Sequence, residues 1–438
     1  MTTFRELPPL RVGPGDSVES AEVTAPTGAA SGMPDSVGMV YVSRPGLLRL
    51  LLKNFGLSIL TLGVYRFWAR TALRRYFWSA ITIGGEPLEY IGRGSELFVG
   101  FLVVMAIFIP LTIAYSAMQT LLLGNPFADT GMIIAYMLGI TLLIAAASYR
   151  ARRYRLSRTL WRGIRANQGG STWHYVGRYF LWMLAGIFTL GLTVPAACAN
   201  LARYRMQHSH WGNWQGSFDG RAKDLALPWL LVLAFPLIAI LFAVPVLADI
   251  PILIGRGDPL SMLFPAYTVR YGAVMFGLLI GSMVLAMLLT PLFYIYFQLR
   301  WLAWNIAGSR IGPLQFQPIF RPGRLLLRIV LGYLLLLIGI VVFVFGAMLL
   351  IGVTSTFFKT PEESQFFFGI IVMLPAYLLL YLGSSLLSTL LITVPVLRRI
   401  ANGIVITGLA AIASVRQSDA AVDASGEGLA DSFDVGFT

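Results

Sequence analysis

Three long apolar hairpins dominate this chain, and each returns to a basic cluster. The returns read Ala151-Arg152-Arg153-Tyr154, Gln298-Leu299-Arg300-Trp301 and Leu397-Arg398-Arg399-Ile400. Six apolar runs, at about 97–118, 131–149, 225–248, 272–297, 329–352 and 367–396, carry no Asp, Glu, Lys or Arg in their interiors. A helix needs roughly 20 apolar residues to cross the hydrocarbon of a bilayer. With 57% of residues hydrophobic, the chain falls in the membrane class. The fold class expected is an all-α polytopic membrane protein with six full spans.

Loop charge orients those spans. The connections near 150–180, 199–224 and 298–328 are basic, whereas those near 119–130, 249–269 and 353–366 carry few positive charges. Cytoplasmic loops hold the excess of arginine and lysine, so the basic set lies inside and both termini are cytoplasmic. Two further apolar runs, about 46–65 and 176–200, have basic residues at both ends: Arg44, Arg49 and Lys53, then Arg66 and Arg70; Arg178, then Arg203 and Arg205. If 176–200 crossed, the charge rule would invert for the rest of the chain. The cost is roughly 2.5–3.5 kcal/mol for each arginine near the centre of a span. Both runs are therefore expected to be re-entrant or interfacial helices. Arg66, Arg70 and Arg74 follow i, i+4 spacing and share one helical face.

The formal charge of +13 does not point to nucleic acid, because no polar domain carries a basic face. The arginines flank apolar spans, so topology and anionic lipid account for them. Arginine binds phosphate through two parallel N–H groups, which makes anionic membrane lipid the expected partner. The sequence specifies no protein partner, oligomeric state or cofactor. Cys198 is the sole cysteine, which excludes an internal disulfide or a zinc knuckle. No GxSxG, HExxH, Walker loop or carboxylate pair occurs, so no enzyme is expected.

Residues 1–40 and 416–438 are rich in small and polar residues and are expected to be disordered tails, the second one acidic. Between them the chain repeats. Thr61-Leu62-Gly63 recurs as Thr189-Leu190-Gly191, an offset of 128 residues that persists through Tyr76 and Tyr204, Gly92 and Gly220, Arg93 and Arg221, and Glu96 and Asp224. This divides the chain into a first repeat at 45–174, a second at 175–310 and a partial third at 311–415. Ile81–Tyr90, with Gly84-Gly85 at its centre, reads as a small cytoplasmic β-hairpin and Trp211–Phe218 as its copy; 305–317 and 404–414 are weaker versions. Single hairpins are marginal in water, so these strands are expected to join in a small sheet.

The run Thr61–Arg70, then Arg74-Arg75-Tyr76, then Tyr90–Phe101, resembles the YjgN family of bacterial inner-membrane proteins, over about residues 45–415. The resemblance implies a multi-pass protein of the bacterial inner membrane and brings no catalytic residues. The second copy departs from the pattern at Pro195-Ala196, where the first has Phe67-Trp68.

Candidate contacts follow from the repeats and the returns. Glu96 and Asp224, each three residues after Arg93 or Arg221, read as helix N-terminal acids with an arginine partner, or else as a polar gate between the copies. Arg152, Arg153, Arg300, Arg398 and Arg399, with Trp301, are candidates for lipid headgroup contact. The tryptophans near the returns read as an interfacial belt. His208 and His210 would share one strand face beside headgroups, and Ser385 and Thr389 would serve hydrogen bonds between helices. Two functions follow: a permease-like carrier of a lipid or weakly charged solute, or a scaffold whose basic face binds anionic lipid or a partner. A polar cavity would favour the first and a solid apolar bundle the second.

Overall fold

Turn residues set the β-structure. Gly84-Gly85, Arg162-Gly163, Gly212-Asn213 and Gly312-Pro313 each follow an apolar residue, and Gly84, Gly85, Arg162, Gly163, Gly212 and Gly312 all have positive φ. Two-residue turns of this kind match the twist of antiparallel strands. A computed structural model describes residues 35–121, 126–255, 263–357, 377 and 379–417. Its strands are β1 (Ser36–Tyr41), β2 (Ile81–Ile83), β3 (Glu86–Pro87), β4 (Glu89–Tyr90), β5 (Thr159–Trp161), β6 (Ile164–Gln168), β7 (Ser209–Trp211), β8 (Trp214–Phe218), β9 (Ser309–Ile311), β10 (Leu314–Pro318) and β11 (Ile404–Thr407).

All eleven strands lie in one antiparallel sheet, ordered β3-β2-β1-β11-β10-β9-β8-β7-β6-β5-β4. Its two ends, β3 and β4, are halves of one strand interrupted only at Leu88. The sheet is thus a ring of five hairpin units, one of which pairs the last strand, β11, with the first, β1. Each second strand uses its first residues for its own hairpin and its last residues for the next unit. Ile164 opposes Trp161 while Ala166 opposes Trp211, and Val37 opposes Ile406 while Met39 opposes Ile83. A closed ring leaves no edge for aggregation.

The ring encloses a core. Ile83, Trp161, Trp211, Leu314 and Ile406 meet in one buried cluster, and Trp161 stacks on Trp211 at 5.1 Å. The 3₁₀ segment Leu409–Ser414 adds Leu409 and Ile412 to the same cluster. Past it, the Arg416 N–H donates to Asn213 Oδ1 at 3.1 Å, which ties the C-terminal segment to a turn on the opposite unit.

Among the described residues, five pairs of helices join the units. Three are long: α3 (Gly94–Leu121) with α4 (Pro126–Ser157), α7 (Ala226–Gly255) with α8 (Leu263–Gly308), and α9 (Pro322–Phe357) with α10 (Leu379–Ala401). These supply six helices long and apolar enough to cross a membrane, matching the six expected runs in number and place. Two are short: α1 (Leu47–Leu60) with α2 (Arg66–Ala80), and α5 (Thr172–Phe188) with α6 (Val194–Gln207). Because a hairpin's strand ends lie opposite its turn, the ten helices among the described residues leave one rim of the ring and the strand turns occupy the other.

The short pairs reverse at Thr-Leu-Gly. Thr61 Oγ1 donates to Leu57 O at 2.8 Å and Thr189 Oγ1 to Ala185 O at 2.7 Å. Leu62 and Leu190 take the left-handed conformation at φ 49° and 50°, and the following glycine continues it. The corner is a helix terminus closed by glycine N–H groups bonding five residues back, Gly63 to Ser58 O and Gly191 to Gly186 O, both at 2.7 Å.

Several expectations need correction. The class is mostly helical but not all-α: the hairpin strands do join in a sheet, and it has eleven strands and closes on itself, because each second strand is long enough to pair twice. The hairpin β5–β6, which turns at Arg162-Gly163, lies outside the expected set, and 404–414 is not a hairpin: only Ile404–Thr407 is strand, the 3₁₀ segment Leu409–Ser414 follows it, and β11 pairs with β1 instead. Residues 36–40 are not tail but strand β1; residues 1–34 and 418–438 of the expected tails lie outside the described residues, as do 367–376 of the last run. Trp161, Trp211 and Trp214 are not interfacial, since they pack inside the ring.

Candidate functional site

A cavity of about 520 Å³ lies against the α1–α2 corner, bounded by the start of α3 and by α10. Leu51, Phe67, Phe98, Phe101, Leu382 and Leu386 give it apolar walls. Asn54 and Ser58 line it from α1, Arg66 and Arg70 from α2, and Ser385 and Thr389 from α10. Asn54 and Ser58 are buried. Asn54 Nδ2 donates to Ala69 O at 3.4 Å, while its Oδ1 is buried without a hydrogen-bond partner among the described residues. An orphaned acceptor of this kind costs about 1–3 kcal/mol unless a ligand or water completes it. Arg66 lies over the rings of Phe67 and Phe101, at 5.0 and 5.4 Å.

The α10 wall is irregular where it meets the cavity. Thr389–Thr393 form a π-turn, a widened helical turn frequent at functional sites. Leu62 and Tyr377, both exposed, form the rim, so the cavity is open. Its size falls within the roughly 300–1,000 Å³ usual for small-molecule sites.

The second copy has no polar equivalent. At the 128-residue offset, Asn54, Ser58, Arg66 and Arg70 become Trp182, Gly186, Val194 and Cys198. Phe101 becomes Trp229, whose Nε1 donates to Gly191 O at 2.7 Å and covers that corner. The polar set therefore exists once. The asymmetry was readable from the offset, as Phe67-Trp68 against Pro195-Ala196 had hinted, although neither Asn54 nor Ser58 stands out alone.

The residues expected to act are placed elsewhere, and they do not converge. Glu96 pairs with Arg158 at 2.9 Å and accepts the Tyr154 hydroxyl, so its partner is not Arg93. Arg93 is exposed. Asp224 sits in a 3₁₀ turn, exposed and without an ion pair among the described residues, and Arg221 offers its carbonyl to Trp304 Nε1 at 3.0 Å. Arg152 is not turned to headgroups: its guanidinium reaches Gln168 Oε1 at 3.1 Å and Ser209 Oγ at 3.4 Å. Arg153 donates to Gly169 O at 3.2 Å. Arg300 is exposed, and Trp301 lies under Arg205 at 5.9 Å. Arg398 and Arg399 are exposed beside Arg328. Arg398 also covers the Tyr41 ring at 5.4 Å; burial and the neighbouring Tyr76 push that phenol above its ordinary range, so the ring stays neutral.

Two further placements differ from expectation. Arg74 is buried near the Tyr90 hydroxyl rather than on an interfacial face with Arg66 and Arg70. His208 ends α6 and bonds Tyr204 O at 2.8 Å, so only His210 lies on strand β7.

Residues 43–431 match the family model described as a bacterial protein of unknown function (DUF898). The chain belongs to that family. It is also similar to the inner membrane protein YjgN of Salmonella typhimurium, with 35% identity over 72 residues, which is 16% of this chain and 18% of the relative. No solved structure matches the chain. Together with six apolar helices of spanning length, the family places this chain among the multi-pass inner-membrane proteins.

Proposed function

We propose that the protein binds a membrane amphiphile in the α1–α2 cavity and carries it as a permease-like protein. The observation behind this reading is the single polar set at the corner. Asn54, Ser58, Arg66 and Arg70 furnish donors, an unpaired acceptor and positive charge, while Phe101, Leu382 and Tyr377 furnish apolar wall. A lipid of neutral or anionic headgroup fits both halves. The span interiors carry no acid, which argues against coupling to protons or ions.

In the same reading, the basic, ring-bearing side faces the cytoplasm by the charge rule, and both termini lie with it. The two short pairs then re-enter from that side. Their exposed apolar corners, Leu60 and Leu62 in one and Phe188 and Leu190 in the other, dip to the headgroup boundary. Thr389 of α10 stands level with Arg66 by register from the ring, so the cavity opens at that boundary.

The test replaces Asn54 with the residue of the filled copy. Asn54→Trp is expected to fold and to lose co-purified lipid by about tenfold, measured by mass spectrometry of the purified protein. Unchanged lipid content would overturn the site. The scaffold reading has one favouring observation, the exposed Arg93, Arg221 and Arg300 on the ring side. Lipid binding without exchange between reconstituted leaflets would select it.

A further inference from the structure

We infer that the fifth unit of the ring holds a second, separate anion site, formed by Arg328, Arg398 and Arg399 and built to take a phosphate group. These three arginines, with Val394 and Pro395, surround a cavity of about 270 Å³ between α9 and α10.

The repeat shows why that cavity is not an ordinary surface gap. Seven residues before the inward residue Ile83, Trp161, Trp211 or Ile311 stands Tyr76, Tyr154, Tyr204 or Trp304. Each reaches the chain just after the preceding unit's second strand. The Tyr76 hydroxyl donates to Arg44 O, the Tyr154 hydroxyl to Glu96, the Tyr204 hydroxyl to Ser171 O at 2.9 Å and Trp304 Nε1 to Arg221 O at 3.0 Å. Four junctions are thus filled by a ring with a polar tip. In the fifth unit the inward residue is Ile406, and the position seven before it is Arg399.

The third unit supplies the sharper contrast. There, Arg178 lies over the Tyr204 ring at 5.0 Å, a cation–π contact. Arg178 stands ten residues after the end of β6, and Arg328 stands ten after the end of β10. The fifth unit therefore keeps the arginine and replaces its aromatic partner with a second arginine. Arg398 adds a third positive charge. None of Arg328, Arg398 and Arg399 has an ion pair among the described residues. Arg328 and Arg399 line the gap, and Arg398 lines it too while its guanidinium covers the Tyr41 ring; like charges gathered this closely repel, and a bound anion would offset that repulsion.

The helix that carries Arg328 adds to the field. Arg321 and Arg324 stand at the first turn of α9, which has no acid, and Arg328 lies one turn further along the helix. Cations are disfavoured at a helix N-terminus, whose free N–H groups attract anions. Planar guanidinium forks match phosphate oxygens in pairs. Basic pockets between spans on the cytoplasmic side take anionic headgroups. The ligand class is thus a phosphate, either a lipid headgroup or free phosphate.

The full chain in neutral detergent is probed with dioctanoyl phosphatidylglycerol, dioctanoyl phosphatidylcholine and inorganic phosphate, with affinity read by isothermal calorimetry. The variant is Arg399→Tyr, which restores the ring used at the other junctions and so is expected to melt no lower than the parent. It should weaken phosphatidylglycerol binding about tenfold, while Arg416→Gln, an exposed arginine at the turn rim of the ring and outside the cavity, should change it less than about twofold. Saturable phosphatidylglycerol binding that the variant loses, with phosphatidylcholine binding the same in parent and variant, assigns a lipid headgroup. Loss of inorganic phosphate binding alone supports the same site with a free anion as its ligand. Equal binding by parent and Arg399→Tyr, or no binding of either anion, overturns it. The Asn54→Trp variant leaves these arginines untouched, so failure of the amphiphile cavity and failure of this site are separable.

Discussion

The α1–α2 and α5–α6 corners are made from the same Thr-Leu-Gly turn with nearly the same hydrogen bonds, yet their surroundings differ. A Cβ placed on Gly191 would touch Leu233 and Trp229, whereas one placed on Gly63 would meet nothing within 4 Å. Backbone geometry was copied between the units and side-chain filling was not. Trp182 and Trp229 occupy the places of Asn54 and Phe101. A duplicated unit that has been filled shows what the unfilled one lacks, so the difference between copies marks the open corner better than their shared motif does.

Both corners hang from the ring, so a lesion there should remove the contrast altogether. Trp211 is buried, stacks on Trp161 and meets Trp214 edge-on. Trp211→Ala should cost about 3–5 kcal/mol, the usual range for a large buried aromatic. Thermal unfolding in detergent, followed by near-ultraviolet circular dichroism, measures it. A loss below about 1 kcal/mol would show that the two halves of the fold do not depend on ring closure.

The sealed corner can be opened and the open one sealed. Trp229→Phe removes the bond to Gly191 O and some ring area, at about 1–2 kcal/mol. Phe101→Trp places the second copy's residue beside Gly63 and should displace lipid from the cavity with little loss of stability. If lipid stayed while the variant remained folded, coverage by this ring would not be what distinguishes the corners.

The sequence made the spans and their number legible because apolar runs without charge have one stable solution in a bilayer. It made the corners legible because Thr-Leu-Gly carries its own termination geometry. Ring closure was hidden, since it depends on β1 pairing with β11 at the far end of the chain, which no local pattern records. The cavity was hidden for a related reason: Asn54, Arg66 and Thr389 come from three helices, and only packing brings them together. In the sequence alone, Arg399 is one more basic return. Its meaning depends on register with Tyr76, Tyr154, Tyr204 and Trp304, and the spacing at Trp301 misaligned that comparison by three residues.

The smallest expected difference lies at the ring-side ends of the copied helices. Glu96 and Asp224 are matched in sequence, so equal effects of Glu96→Gln and Asp224→Asn would follow from the duplication alone. Their surroundings oppose that. Glu96 holds Arg158 at 2.9 Å and accepts the Tyr154 hydroxyl, which links the start of α3 to the end of α4. Asp224 is exposed in its 3₁₀ turn. Partial exposure of the Glu96 pair discounts its worth, leaving about 0.5–1 kcal/mol for Glu96→Gln. Asp224→Asn should stay within about 0.5 kcal/mol of the parent, the range of an ordinary surface change. Raising salt should narrow the gap, because screening weakens the ion pair and leaves Asp224 nothing to lose. Paired melting curves at low and high ionic strength decide it, and equal losses at both would mean that the helix dipole, common to the two sites, sets their contribution.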